Sequence, residues 1–145
     1  MGHFYEALTS VVIERNAVTQ EHEVQVTLPS VNVITDLVLP NSSHPKCVVL
    51  ITHSAAESGT NMKFWRNVNE CLEVHQSLPD VPIVNLVFPS AWKRGMLPVM
   101  AAACELQIVI PAELTTPLQR LFSSVEGKGG SDWQSYKDEL RSIPV

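Results

Sequence analysis

Three short apolar runs constrain the fold of this chain more than any other feature. They cover residues 47–52, 83–88 and 106–110, and each is about as long as one β-strand. Runs of this length with few polar residues are typical of strands buried on both faces of a sheet, and such strands are usually parallel. Segments with helical periodicity separate the runs, so strand–helix–strand units with right-handed crossovers are expected. The runs therefore predict an α/β domain.

The first third of the chain predicts a different arrangement. Apolar residues recur at helical spacing over residues 4–15, and two β-rich segments follow at 23–28 and 31–39. With the first apolar run they make three strands in succession, which indicates hairpins. Further helices are predicted at residues 62–75, 97–104, 117–125 and 132–141. We expect a single domain over 1–145, built as a mixed five-stranded sheet flanked by helices in the order αβββαβαβ, followed by further helices.

Composition and charge exclude several classes of protein. Hydrophobic residues make up 45% of the 145 residues and charged residues only 17%, which excludes intrinsic disorder as the main state. The formal net charge of −5 argues against a protein whose whole surface binds phosphate. Residues 46–94 nevertheless hold five of the ten Lys and Arg residues. An anionic partner would therefore meet the middle of the chain.

The sequence also indicates in which cellular compartment the protein is expected. Its apolar runs are shorter than a membrane span, and no basic segment followed by an apolar stretch begins the chain, so no membrane partner is expected. Cys47, Cys71 and Cys104 have no paired spacing and lie in apolar stretches, which is typical of buried free thiols. A cytoplasmic protein is the resulting expectation.

Asp36, His53 and the predicted helix at 62–75 carry the side chains best suited to chemistry. Asp36 lies inside a β-rich segment, where a carboxylate is either exposed or satisfied by a partner, because an unpaired buried charge is costly. His53 follows the first apolar run, and ligands often gather where the strands of α/β sheets end. A lone histidine is nevertheless more often structural. Lys63 and Glu70 share one stripe of the predicted helix.

Common catalytic and nucleotide-binding motifs are absent from the sequence. The histidines have no metal-ligand spacing, no P-loop or Rossmann glycine pattern occurs, and Ser54 is not part of a G-x-S-x-G elbow. One alternative is therefore a small α/β domain that binds a metabolite, with residues 54–61 as its ligand loop.

The order of elements, with an Asp on the second strand and polar residues ending the third, resembles that of the PD-(D/E)XK nuclease superfamily. The segments ITHS at residues 51–54 and MKFWRNVNE at 62–70 are similar to type II restriction endonuclease sequences. The architectural likeness covers about residues 4–111. It implies a restriction-endonuclease-like fold and a Mg²⁺- or Mn²⁺-dependent endonuclease that hydrolyses phosphodiester bonds in double-stranded DNA.

The resemblance also implies roles for particular residues. In that family an Asp on the second strand and an acidic residue on the third hold the metal, and a Lys two positions later orients the attacking water. Asp36 matches the first carboxylate, and Glu6 lies where some members have an additional acidic residue. The third-strand E-x-K is missing, because residues 52–54 read Thr-His-Ser.

Two explanations of the missing E-x-K remain open. The carboxylate and the lysine have moved to the next helix as Glu70 and Lys63, with His53 as general base or phosphate contact. Alternatively, the site is inactive, and the chain is a nuclease-fold subunit that binds DNA or a partner protein. In the first case Asp36, Glu70 and Glu6 would hold the metal.

DNA contacts are predicted from the basic residues of the middle segment. Lys93 and Arg94 form the one adjacent basic pair and follow the fourth predicted strand, where they would contact DNA phosphate or simply lie in a solvated loop. Arg66 is a further DNA-binding candidate, or an ordinary surface partner of Glu70. One small domain has one active site whereas a duplex has two strands. A homodimer, or a place as a subunit of a larger nuclease, is therefore expected.

Overall fold

A mixed β-sheet forms the centre of the computed structural model, which describes residues 2–16, 21–27, 32–41, 43–52, 68–88, 96–128 and 132–143. The strands are β1 (Glu21–Thr27), β2 (Asn32–Leu39), β3 (Cys47–Thr52), β4 (Ile83–Val87) and β5 (Leu106–Val109). The helices are α1 (Gly2–Arg15), α2 (residues 68–77 as described), α3 (Met96–Ala103), α4 (Thr115–Val125) and α5 (Trp133–Arg141), with a 3₁₀ turn at Ala112–Leu114. The α/β class and the mixed sheet predicted from the sequence are confirmed.

The strands lie in the sheet in their sequence order. β1 with β2 and β2 with β3 pair antiparallel, whereas β3 with β4 and β4 with β5 pair parallel. The change of direction follows from the connections. The turn after β2 is closed by a 2.7 Å hydrogen bond from the Lys46 N–H to the Leu39 carbonyl, and such a short link forces antiparallel pairing. Each parallel pair is joined by a segment that includes a helix, as crossovers require.

Each face of the sheet has its own hydrophobic core, and β3 belongs to both. Val48 and Leu50 pack with buried residues of α2 and with Met100 of α3 on one face, which we call the α2 face. Val49 and Ile51 pack with α1 and α5 on the other, the α1 face. The side chains of a strand alternate between faces, so an apolar run without alternation is buried on both, as its sequence predicts.

The C-terminal helix α5 is fixed to α1 by a group of charges. The Asp132 side chain caps α5 by accepting the Ser135 N–H at 2.8 Å. Glu14 of α1 accepts hydrogen bonds from the ammonium of Lys137 and the guanidinium of Arg141, each at 2.6 Å. These partners, Arg141 first, lower the pKa of Glu14 to about 2. The amphipathic pattern that predicted a terminal helix thus corresponds to a helix docked on α1.

Some local expectations differ from the structure. In the helix predicted at 62–75, helical spacing would place Leu72 with Val68 and Cys71 on the core-facing side, but Leu72 is 51% exposed and the buried side is formed by Val68, Cys71 and Val74. α4 begins at Thr115 rather than at Pro117, because a proline is well tolerated in the first turn of a helix. No helix among the described residues combines the length and the apolar character needed to cross a membrane.

Candidate functional site

Asp36 lies near the end of the ladder between β2 and β3. Leu37, the next residue, pairs with Val49, and the Asp36 Oδ2 accepts the backbone N–H of Ile51 at 2.7 Å. The Asp36 carboxylate therefore accepts a backbone N–H of β3 next to the last residues that the two strands pair through their backbones. The interpretation of Asp36 as a satisfied carboxylate within the strand agrees with this geometry.

Two further carboxylates, one carried by α1 and one by α2, act on Asp36. Glu6 of α1 forms a side-chain hydrogen bond with Asp36, and Glu70 of α2 interacts with it through its charge. His3 approaches Glu6, with 3.6 Å between Nδ1 and Oε2. The hydrogen bond between two carboxyl groups requires that one of them carries a proton. Of the residues named from the sequence as metal ligands, Glu6 is thus bonded to Asp36, and Glu70 is near enough for its charge to act on it.

The surroundings make Asp36 an unusual acid. Burial, and then the neighbouring charges of Glu6 and Glu70, raise the pKa of Asp36 to about 7, although the Ile51 N–H acts in the opposite direction. Removing water disfavours the charged form, and like charges nearby disfavour it further. Strongly shifted carboxyl groups are common at functional sites. A cation at this position would relieve the repulsion and return Asp36 to its ionised form.

The donor set fits a hard divalent cation. Carboxylate oxygens are the protein ligands that Mg²⁺ and Mn²⁺ prefer, and Mg²⁺ needs few of them because it keeps several waters. Within the described ranges, no three His, Cys, Asp or Glu side chains already stand at the spacing of a metal site. Asp36 and Glu6 are instead drawn together by their shared proton. Cation binding at this site therefore requires that proton to leave.

The other predicted site residues lie outside the described residues. His53, Lys63 and Arg66 fall in 53–67, and Lys93 and Arg94 fall in 89–95. Their predicted roles stay predictions.

The described residues do fix where these two segments begin. Thr52 and Val87 are partners in the parallel pair, and the Phe88 N–H donates to the Thr52 carbonyl at 2.8 Å. Both segments therefore start at one end of the sheet. Asp36, through its hydrogen bond to Ile51, lies at the same end. Ligands of α/β proteins commonly bind outside the carboxyl ends of strands.

A buried polar chain across β3, β4 and β5 was not predicted from the sequence. The Thr52 hydroxyl donates to the Asn85 Oδ1 at 2.9 Å, and the Asn85 Nδ2 donates to the Gln107 Oε1 at 3.5 Å. The Gln107 Nε2 in turn donates to the Leu97 carbonyl of α3 at 3.0 Å. Asn85 is fully buried and is the one polar residue in the run 83–88, which was the available signal. This series of hydrogen bonds fixes the three parallel strands relative to one another.

In comparisons with protein-family models, with curated proteins and with solved structures, the chain has no significant match.

Proposed function

We propose that this chain is a Mg²⁺- or Mn²⁺-dependent DNA endonuclease with a restriction-endonuclease-like fold. The observation that carries the proposal is the meeting of Asp36, Glu6 and Glu70, supplied by β2, α1 and α2, at one end of the sheet. Separate elements contribute the three acids, so their meeting is a product of the fold and not of local sequence. The three free thiols agree with a reducing cytoplasm as the compartment.

The topology supports the same proposal. A helix, an antiparallel series of three strands, a helix and a parallel strand follow one another, and the strands lie side by side in sequence order. This is the element order on which the resemblance to the PD-(D/E)XK nucleases depends. The candidate acid of the second strand, Asp36, lies where that strand meets β3.

Each carboxylate has a distinct part in the proposed reaction. A bound divalent cation would polarise the scissile phosphate and supply hydroxide near neutral pH. The Ile51 N–H orients Asp36, and Glu6 holds or releases the proton that the two carboxyl groups share. Glu70, on α2, would replace the missing third-strand acid. Lys63 and His53 are proposed to contact the phosphate and to orient the attacking water.

One observation favours the second candidate, a catalytically inactive nuclease-fold subunit that binds DNA or a partner protein. Thr52, at the third-strand position, is 2% exposed, and its hydroxyl donates to Asn85. It offers no charge to a metal. Activity therefore depends on whether Glu70 can take over that position, and the two candidates differ in cleavage rather than in fold.

Cleavage of supercoiled plasmid and linear duplex DNA in Mg²⁺ or Mn²⁺ separates the two candidates. We expect nicking or cutting by the wild type and a loss of at least about 100-fold in rate for Asp36→Asn, Glu70→Gln and Lys63→Ala. Glu73→Gln, on the same helix as Glu70, is the matched control and should keep the wild-type rate. Cleavage that survives Asp36→Asn would overturn the proposed site.

Calorimetric titration with Mn²⁺ tests the metal site without DNA. We expect one site per chain, with proton release that varies with the buffer, and no binding by Asp36→Asn. Binding without cleavage of any substrate would favour the inactive subunit. If the wild type does not bind Mn²⁺, the assignment of Asp36, Glu6 and Glu70 as ligands is wrong.

A further inference from the structure

The last strand of the sheet presents apolar side chains to solvent on both faces. Leu106 and Ile108 are 51% and 40% exposed, and Val109 is 47% exposed. In register with β4, Leu106 and Ile108 share the α1 face with Val84 and Leu86, whereas Val109 lies on the other face. Gln107 of β5 bonds to α3, yet these three apolar side chains stay open to solvent. Solvent exposure of this kind on both faces of a strand is unusual for a monomer.

The outer edge of β5 is also available for pairing. β5 pairs with β4 on one side, and no other described strand lies on its second side. The Ile110 N–H, just after the strand, donates to the Val87 carbonyl, so alternation along the strand turns the backbone groups of Gln107 and Val109 outward. Neither a charged residue nor a proline, two common protections of edge strands, occurs within 106–109.

The surface around this edge carries almost no charge. Residues 96–112 contain one charged side chain, Glu105. Its carboxylate is bonded within the same chain. One oxygen lies 2.7 Å from the His75 Nε2, and the other accepts the Ile83 N–H at 2.6 Å. α3, which precedes β5, consists entirely of apolar residues, and its Val99 is 45% exposed. Because residues 96–112 contain no Lys or Arg, this segment suits neither nucleic acid nor an anionic membrane.

We propose that β5, with the adjoining surface of α3, is the two-fold interface of a homodimer. A second copy is the occupant that fits, because two copies of an acidic chain repel one another least at a segment whose one charge, Glu105, is already paired within the chain. A two-fold axis perpendicular to the sheet pairs β5 with its own copy antiparallel, and it keeps the same face of both sheets on the same side. The outward backbone groups then pair, and the exposed apolar side chains of β5 pack beside those of its copy on each face of the joined sheet. The inference is independent of the proposed nuclease activity.

Sedimentation equilibrium of the whole chain tests the interface with a matched pair of variants. The wild type is expected at about twice the chain mass of 16.0 kDa. Leu106 and Leu72 are equally exposed, at 51%, but only Leu106 lies on β5. Leu106→Lys should weaken the dimer by about 100-fold or more, whereas Leu72→Lys should leave it intact. Val109→Lys, on the other face of β5, is a second variant, and circular dichroism verifies that each one folds.

A mixing experiment tests self-pairing directly. Ile108→Lys and Ile108→Glu should each be monomeric, and an equal mixture should regain the dimer, because opposite charges then meet near the two-fold axis. A wild-type monomer at high concentration, with or without binding to neutral lipid vesicles, would overturn the proposal. So would a dimer that Leu106→Lys leaves as intact as Leu72→Lys does, or a mixture that stays monomeric.

Discussion

The Asp36 carboxyl group links the candidate site to the pH dependence of folding. Its pKa is about 7 in the folded chain and 3.8 in the absence of the fold. The folded state therefore holds a proton that the unfolded state has released. The contribution of Asp36 to stability is fully present below about pH 3.8 and is lost as the pH rises through about 7. Above that pH a buried charge beside Glu6 and Glu70 opposes folding.

Replacing Asp36 by asparagine should therefore stabilise the metal-free protein at pH 8 while it abolishes metal binding. Asparagine keeps an oxygen for the Ile51 N–H and removes the charge. Thermal unfolding in EDTA between pH 5 and 8 should show a flatter pH profile and a higher midpoint at pH 8 than the wild type. Asp80→Asn, at an exposed turn, is the control and should follow the wild type. Identical profiles for Asp36→Asn and the wild type would contradict the assigned environment.

At the scale of secondary-structure elements, the polar chain through Asn85 holds the three parallel strands in place. Asn85→Ala would remove the two hydrogen bonds that Asn85 makes with the Thr52 hydroxyl and the Gln107 amide. We expect a loss of about 2 kcal/mol in the free energy of unfolding, because each intramolecular hydrogen bond contributes about 1 kcal/mol. Urea unfolding measures the loss, and Gln76→Ala on exposed α2 surface should change stability little. A loss no larger than that of the control would show that the chain does not stabilise the strands.

The docking of α5 on α1 depends on one nearly buried ammonium group. Lys137 is 6% exposed and its charge is matched by Glu14. Glu14→Gln should lower the free energy of unfolding by about 2 kcal/mol at pH 7, since it leaves Lys137 without its counterion. The pKa of Glu14 is lowered to about 2, so in the wild type this stabilisation is present above about pH 4.5 and is lost as the pH falls towards 2.

A double-mutant cycle in urea isolates the pair. Lys137→Met removes the buried charge, so adding it to Glu14→Gln should recover part of the loss. Asp138→Asn removes only an exposed partner of Arg141, at 3.5 Å, and serves as the control. Additive effects of Glu14→Gln and Lys137→Met would exclude a direct interaction.

Sequence patterns located the elements that bury apolar residues and were less informative about contacts between elements. The runs at 47–52 and 83–88 contain β3 and β4, because burial on both faces leaves a signal in the composition alone. The contact of Glu6 with Asp36 depends on how α1 packs against β2, and no local pattern encodes that packing. Only the family resemblance placed the two acids together. Asn85 was visible as a polar residue in an apolar run, but its partners on two other strands were not.

At the scale of the whole molecule, the acidic charge would make the proposed DNA binding depend on the cation. A net charge of −5 repels phosphate, and the three carboxylates lie where the DNA would approach the proposed site. Fluorescence anisotropy of a labelled duplex, read before any strand is cut, should give an affinity at least about tenfold weaker in EDTA than in Mg²⁺ at matched ionic strength. Asp36→Asn should lose most of this difference. Equal affinities in the two buffers would contradict a cation at the DNA interface.

The hydrogen bond from Ile51 to Asp36 gives the molecule a spectroscopic reporter. The Ile51 amide donates to a titrating side chain, so its proton chemical shift should move with the charge state of Asp36 and with the arrival of a cation. Ile51 also lies on the strand that both cores share. Its amide proton should therefore exchange with solvent only when the whole domain opens. One resonance in a nitrogen–proton correlation spectrum would thus follow both the occupancy of the carboxylate site and the global stability of the fold.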